Sequence, residues 1–385
     1  MTTCRADPST LLPMGSMTTQ RVKSEPVVQW HPASAADDVL AQWRILEARV
    51  SLPLSASADW TRAWLSVYGR TIPHRFMTAS VGGQSVAACL ITDGVDIRDG
   101  PLPVRSIHLG TAGEPNGDSA CVEYNAIAVD PTYRLVVLDR LISSLLGEAG
   151  YDEIRLDGFA PHELPELRND DWTITRKASP YFDFEGPRKN GVVDLVACLG
   201  RSTRSSLRQN LRAYKDIKVD WSSTVDQATE YFESMVALHQ DRWTSQGQPG
   251  AYASDLFRRF GQAQMTLLVP KEKAAIVRIS SQGKDLGYVH VLIDGKRVLK
   301  YQSGARRYES SQQSPGRVAD FMTIDASYRR GFDAFDFLAG DSLAKRQLST
   351  HEHPLIWARF RHKRLKYFVL DGLRWMRGTL HSEGR

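Results

Sequence analysis

The stretch "SSQQSPGRVADFM", residues 310–322, joins a strand-like run to an apolar-periodic helix. Upstream, "VLKYQSGA" (298–305) reads as a strand that ends in a turn. Downstream, "RVADFMTIDASYRR" (317–330) places Val318, Phe321, Met322 and Tyr328 at roughly helical spacing. Serine is a good N-cap and proline suits the first helical position, so Ser314 is expected to cap and Pro315 to start the helix. Gly316 is then the odd residue, because glycine is a poor helix former. Two readings stand. Ser-Pro-Gly is simply a good helix start, or the bare first turn lets an anion approach. In the second, the N–H groups of Gly316, Arg317 and Val318 are the donors, and Arg317 adds a full charge.

The bulk composition bounds what surrounds this stretch. At 385 residues the chain is long enough for two ordinary domains, and 42% hydrophobic with 24% charged residues is a globular composition. No apolar run approaches the length of a membrane span. A net charge of +5 permits an anionic ligand without announcing a nucleic-acid binder. The four cysteines, Cys4, Cys89, Cys121 and Cys198, are scattered and form no CxxC pair, as expected of a cytoplasmic protein. "HEH" at 351–353 is too short to make a metal site alone, so no metal is expected. Residues 1–26 are polar, broken by Pro and Gly, and lack an apolar signal core; a disordered segment is expected there.

From Val27 the elements alternate. Helices are expected over 37–50 and 57–69, the second capped by Ser57. Three β-like runs follow, then the Gly-rich loop "GTAGEPNGDSA" (110–120), "CVEYNAIAVD" (121–130) as a strand, a helix over 134–150 and a further strand. The second half repeats the order, with helices over 226–247 and 252–268, three strands, the Ser-Pro-Gly helix, and "FDAFDFLAG" (332–340) as a strand. A basic helix is expected near 362–379. Between the halves, Arg201, Arg204, Arg208, Arg212 and Lys215 recur every three or four residues. On a helix they form one cationic stripe, either a solvated face or a docking strip for an anion.

Three segments in order, "HQDRWTSQG" (239–247), "YQSG" (301–304) and "GFDAFDFLAGDSLAK" (331–345), together carry a resemblance. They resemble the CelD/BcsL family of acetyltransferases linked to cellulose biosynthesis, within the GNAT superfamily. That group is in turn similar to the Fem-type tandem-GNAT transferases. The resemblance covers about 195–350 well. Over 37–185 it rests on "LGTAGEPNGD", "VEYN" and the order of elements. One departure is Ala344, which stands before Lys345 where the family often shows an aromatic.

The resemblance implies an α+β fold of two tandem GNAT-like domains, each a mixed, mostly antiparallel sheet flanked by helices. The expected domains are 27–190 and 226–385, joined by a basic helix and strand over 191–225. It also implies that a strand splays from its neighbour and that the next helix holds the pyrophosphate of coenzyme A. Residues 313–317 would replace the usual loop, which favours the anion reading of Ser-Pro-Gly. Ser303, Ser314, Gly316, Arg317, Val318 and Lys345 are then candidate cofactor-binding residues. Ser314 as a cap would compete with phosphate for the same N–H groups.

Acyl transfer from a thioester needs a polarised carbonyl, a base and a proton for the thiolate, and direct attack needs no cysteine. His239 and Arg242 share a helix face; His239 is a candidate base and Arg242 a candidate for holding an anionic group. Asp336, between Phe335 and Phe337, is the other candidate base, with a structural role as its alternative. Tyr301 and Ser303 are expected on one strand face, as donors to the thioester oxygen or the thiolate. Glu123 and Tyr124 adjoin the Gly-rich loop and are candidates for the acceptor cleft. The expected activity is transfer of an acetyl group from acetyl-CoA to a sugar, polysaccharide precursor or amino compound. Two alternatives remain: a Fem-like transferase using aminoacyl-tRNA, and a non-catalytic binding component of a polysaccharide-synthesis assembly.

Overall fold

The structure is a computed structural model that describes residues 25–99, 102–115, 117–167, 171–307 and 313–368. Of the expected disordered segment 1–26, residues 1–24 lie outside the described residues, and of the expected basic helix near 362–379, residues beyond 368 do.

The first half runs β1 (Val27–Pro32), α1 (Ala36–Glu47), α2 (Ala58–Tyr68), β2 (His74–Val81), β3 (Gln84–Asp99), β4 (Leu102–Leu109), β5 (Ala128–Val129), α3 (Arg134–Leu146), β6 (Glu153–Phe159) and β7 (Trp172–Asp183). The second half begins with α4 (Glu185–Lys189), α5 (Arg201–Arg212), β8 (Ile217–Trp221), α6 (Val225–Thr244) and α7 (Asp255–Leu268). It continues with β9 (Ala274–Ser281), β10 (Lys284–Asp294), β11 (Arg297–Ala305), α8 (Pro315–Arg329), β12 (Ala334–Asp336), α9 (Leu343–Leu348) and β13 (His351–Arg361). Local chemistry sets several ends. Ser57 caps α2, with its Oγ accepting from the Trp60 N–H at 3.2 Å, and Ser254 caps α7 in the same way through the Phe257 N–H at 3.0 Å.

One mixed sheet of thirteen strands passes through both halves in the order β1-β2-β3-β4-β6-β13-β7-β12-β11-β10-β9-β8, with β5 on β3 to one side. Its symmetry lies in the pairings. In the first half β4 runs parallel to β6, and β6 is antiparallel to β13. In the second half β11 runs parallel to β12, and β12 is antiparallel to β7. Each half is therefore completed by the last strand of the other, and β13 and β7 pair at the join through His351↔Tyr181 to Phe360↔Trp172. This exchange carries apolar weight as well as hydrogen bonds. Ile356 and Ala358 of β13 lie in the core of the first half, and Phe182 of β7 lies in that of the second.

A third core is shared by both halves on one face of the sheet. Trp60, Trp64 and Tyr68 of α2 meet Phe257 and Phe260 of α7 and Phe232 of α6. The Trp60 and Phe260 rings are 5.2 Å apart at 83°, an edge-on pair that adds to their area burial.

Two expected strands are shorter than their sequences suggest. Over 121–130 only Ala128–Val129 is strand, because Cys121 (φ 51°) and Tyr124 (φ 55°) take left-handed backbone. Over 332–340 only Ala334–Asp336 is strand, because Leu338 turns the chain at φ 62°. Left-handed residues cannot continue a pleated ladder, and outside glycine they cost on the order of 1–3 kcal/mol each. Both interruptions fall at the site described next.

Candidate active site

β11 and β12 pair only from Arg297↔Ala334 to Leu299↔Asp336. Beyond that the strands part and a cleft of about 850 Å³ opens between them. Lys300, Ser303 and Gly304 line one wall and Phe337, Leu343 and Lys345 the other, with Arg242 and the start of α8 at its edge. Lys300 is paired with Asp320 of α8 at 2.5 Å inside this cleft. Gly304 is required by packing, since a Cβ there would collide with the Met235 carbonyl of α6.

At the α8 end the Ser-Pro-Gly turn behaves differently from its sequence reading in two respects. The Ser314 side chain makes no capping bond, so it does not compete for the helix N–H groups. The Val318 N–H already donates to the Ser314 carbonyl at 2.9 Å and its side chain is fully buried, so Val318 is not a donor to a ligand. Proline has no N–H. Among the described residues the Gly316 and Arg317 N–H groups are left as donors at this helix start. A Cβ on Gly316 would have one close neighbour, Ala305 Cβ at 3.3 Å. The Arg317 guanidinium turns onto α5, donating to Ser206 Oγ at 3.0 Å, and burial lowers its pKa.

At the opposite end the β11–β12 cleft meets a second one. β4 and β6 part beyond His108↔Arg155, as β11 and β12 do, and a cavity of about 650 Å³ lies there. Glu114, Cys121, Glu123, Asp157, Lys177 and Trp357 are among its lining residues. Residues 121–125 thread the opening, and Asn125 bridges to Phe159. Gly158, at φ 74°, is needed because a Cβ would stand 2.6 Å from the Val122 carbonyl.

The two clefts meet at one residue, Ala339. The Ala339 N–H donates to Glu123 Oε2, and the Ala339 carbonyl accepts from Lys345 Nζ at 2.6 Å. Lys345 Nζ also donates to the Leu338 carbonyl at 3.0 Å. Burial pushes the Glu123 carboxyl up to about 7, against the opposing pull of the Ala339 N–H and the Lys345 charge. Burial likewise lowers the Lys345 pKa, with Glu123 acting against it. A carboxyl near neutrality beside an ammonium is a pair suited to taking and giving a proton at ordinary pH.

The other expected site residues lie apart from this boundary. Tyr301 does not share a face with Ser303. β10 pairs His290 with Gln302 and Val291 with Lys300, which leaves Tyr301 as a bulge. Its ring is buried against Phe257 and His290, and its hydroxyl donates to the Ala120 carbonyl at 2.5 Å. His239 is buried with its ring 5.0 Å from that of Tyr252, its Nδ1 is 3.1 Å from Gln240 Oε1, and burial lowers its pKa. Arg242, three residues on, does reach the cleft between β11 and β12. Asp336 is fully buried and accepts from Tyr124 Oη (2.5 Å), Leu338 N (2.7 Å), Ser179 Oγ (3.0 Å) and Arg297 Nη1 (3.2 Å). Tyr124 faces this network rather than the Glu123 cleft. Its hydroxyl also contacts His353, and burial, then Asp336, raises its pKa.

The basic stripe on α5 is mostly exposed. Arg204 donates to the Ala197 carbonyl at 3.2 Å and Arg208 pairs with Asp194 at 3.0 Å, while Ser206, on another side of the helix, meets Arg317. Two residues escaped the sequence reading. Glu114 accepts from Trp64 Nε1 and is pushed up to about 7 by burial. The Ala339 peptide carries no side-chain signal at all.

Residues 201–346 match the model of an acetyltransferase (GNAT) domain. This GNAT match spans α5 to α9 and so contains most of the cleft between β11 and β12, including Lys345. No curated protein matches the chain in sequence. The solved structure of FemX is similar at TM-score 0.54 and 10% identity, over 87% of this chain and 98% of that one. L-PGS from Bacillus licheniformis gives TM-score 0.50 at 11% identity, over 87% and 94%. The C-terminal domain of a putative lysylphosphatidylglycerol synthetase from Agrobacterium fabrum gives TM-score 0.50 at 10% identity, over 84% and 92%. At these identities the likeness is one of fold, and the fold is that of tandem GNAT proteins such as FemX. Among the described residues no helix is long and apolar enough to cross a membrane.

Proposed function

We propose that the protein is an acyltransferase that moves an acetyl group from acetyl-CoA to an amine or hydroxyl of a saccharide or amino compound. The observation that carries this reading is the parting of β11 and β12 within the GNAT match. The resulting cleft has a bare helix start at one end and the Glu123–Ala339–Lys345 boundary at the other. In this reading the CoA pyrophosphate sits on the Gly316 and Arg317 N–H groups, and the thioester lies toward Ala339. The acceptor occupies the cavity lined by Glu114, Glu123 and Trp357.

Glu123 takes the acceptor's proton as its nitrogen or oxygen attacks the thioester carbonyl. The C–S bond then breaks, and the CoA thiolate leaves beside the Lys345 ammonium, from which it takes a proton. The nucleophile comes from the acceptor, so no side chain is acylated. The resemblance to cellulose-linked acetyltransferases supports a saccharide acceptor. Thermal shift with acetyl-CoA, CoA and bulk tRNA tests the donor. Stabilisation by both CoA species and none by tRNA is expected. Stabilisation by tRNA alone would replace acetyl-CoA with an aminoacyl-tRNA donor.

A further inference from the structure

Asp336 binds the sequence neighbours of the two residues that make the Glu123–Ala339 hydrogen bond. Its Oδ2 accepts from the hydroxyl of Tyr124, the neighbour of Glu123, at 2.5 Å. Its Oδ1 accepts from the N–H of Leu338, the neighbour of Ala339, at 2.7 Å. Both neighbours hold left-handed backbone, at φ 55° and 62°. Such conformations persist where the surroundings over-determine them, and here one carboxylate ties both down. We propose that Asp336 is the positioning residue of the site, clamping the Glu123 and Ala339 segments together across the boundary of the two clefts. The inference rests on the reading of Glu123 as base.

The rest of the cluster keeps the clamp rigid. Ser179 of β7 and Arg297 of β11 satisfy the remaining acceptor sites of the carboxylate. Arg297 lies over the Tyr181 ring at 4.8 Å, and its Nη1 also reaches His353 of β13 at 3.1 Å. Ser179 of β7 holds the carboxylate directly and His353 of β13 braces Arg297 and Tyr124 around it, so both exchanged strands contribute to the site. A buried acceptor this fully satisfied is costly to disturb, and its partners hold their places accordingly.

The clamp has an electrostatic consequence. The charged groups that act on Glu123 are Lys345 of α9, Asp336 of β12 and Lys177 of β7, with burial the largest influence. Cys121, on the same loop, feels Glu123 in turn. The two lysines favour the ionised carboxylate and Asp336 opposes it. Replacing Asp336 by a neutral residue removes a like charge, so the Glu123 titration must move to lower pH.

Two readouts that need no acceptor test this. Infrared titration follows protonated carboxyl bands in wild type, Glu123→Gln, Glu114→Gln and Asp336→Asn. Hydrogen exchange follows peptides covering 337–345 in wild type, Asp336→Asn and Tyr124→Phe. Wild type should show two carboxyls titrating near pH 7, one removed by each glutamine variant. Asp336→Asn should move the Glu123 component down by on the order of one pH unit, the scale of one like charge within about 10 Å. Tyr124→Phe keeps the Asp336 charge and most of its partners, and exchange over 337–345 should become about tenfold faster. An unmoved Glu123 band together with unchanged exchange in Tyr124→Phe overturns the clamp and leaves the base reading intact. Absence of any band that Glu123→Gln removes overturns both. If Asp336→Asn does not fold, exchange in Tyr124→Phe decides alone.

Discussion

Gly316→Val is the sharpest perturbation of the donor end. A Cβ at 316 has one close neighbour, Ala305 Cβ at 3.3 Å, so the first methyl needs a shift of a few tenths of an ångström. The φ of Gly316 is not in the left-handed region, and valine has the better helix propensity, so the fold should survive. The two γ-methyls must then stand beside the first turn of α8, where a phosphate has to come within hydrogen-bond distance of the backbone. Two charge-assisted hydrogen bonds, from Gly316 and Arg317, are at stake at about 1.5 kcal/mol or more each. Losing both is about 3 kcal/mol, or a Kd for CoA weakened roughly a hundredfold. Gly316→Ala should fall between the two. The assay is calorimetric titration of CoA, beside a melting curve of the free protein. An unchanged Kd in a folded Val variant refutes the phosphate site at this helix.

Other expectations follow from the same geometry. Changing Arg204, Arg208 and Arg212 together to Gln should leave the CoA Kd and its salt dependence unaltered, because Arg204 and Arg208 turn toward 194–197 and the stripe is otherwise a solvated face; a flattened salt slope in titrations at several ionic strengths would contradict this. His239→Gln should change kcat less than tenfold and act mainly on melting temperature, since the ring packs on Tyr252; a hundredfold loss of kcat would restore it as the base. Glu114, pushed up to about 7 from 4.5, binds its proton more tightly folded than unfolded. The stability this lends is complete below about pH 4.5 and is lost as pH rises through about 7. Glu114→Gln should therefore be worth about 3 kcal/mol more, relative to wild type, at pH 8 than at pH 4, read from denaturant curves at both. A fragment of residues 27–190 lacks β13 and should not yield a soluble folded unit alone, whereas co-expression with 191–385 should rescue it; a monomeric, cooperatively melting 27–190 would argue against the exchange.

What the sequence disclosed follows the range of the forces involved. The helices were legible because caps and apolar periodicity are local: Ser57 and the spacing in α8 act within a turn or two. The parting of β11 and β12 was legible only through the resemblance. The strand exchange was not, since nothing in "PLIWARFR" says which of two half-sheets it joins. Tyr301 was misplaced because a bulge flips the face of every residue beyond it, and the bulge depends on the pairing with His290. Glu123 was noticed for its position beside a Gly-rich loop. Its raised pKa and the Ala339 contact depend on residues more than two hundred positions away. Asp336 drew attention as a carboxylate among apolar neighbours, but its partners, Tyr124, Ser179 and Arg297, come from three separate segments.

The central claim is that Glu123 is the base at the meeting point of the two clefts. Its most direct test is the pH dependence of kcat/KM for CoA release from acetyl-CoA, in wild type and Glu123→Gln, with an acceptor found by screening amines and saccharides. A base must be ionised to act, so the wild-type rate should rise through about pH 7 to a plateau. Glu123→Gln should lose that limb and run about a hundredfold slower on the plateau, with acetyl-CoA affinity unchanged. A variant that keeps both the limb and the wild-type rate contradicts the account.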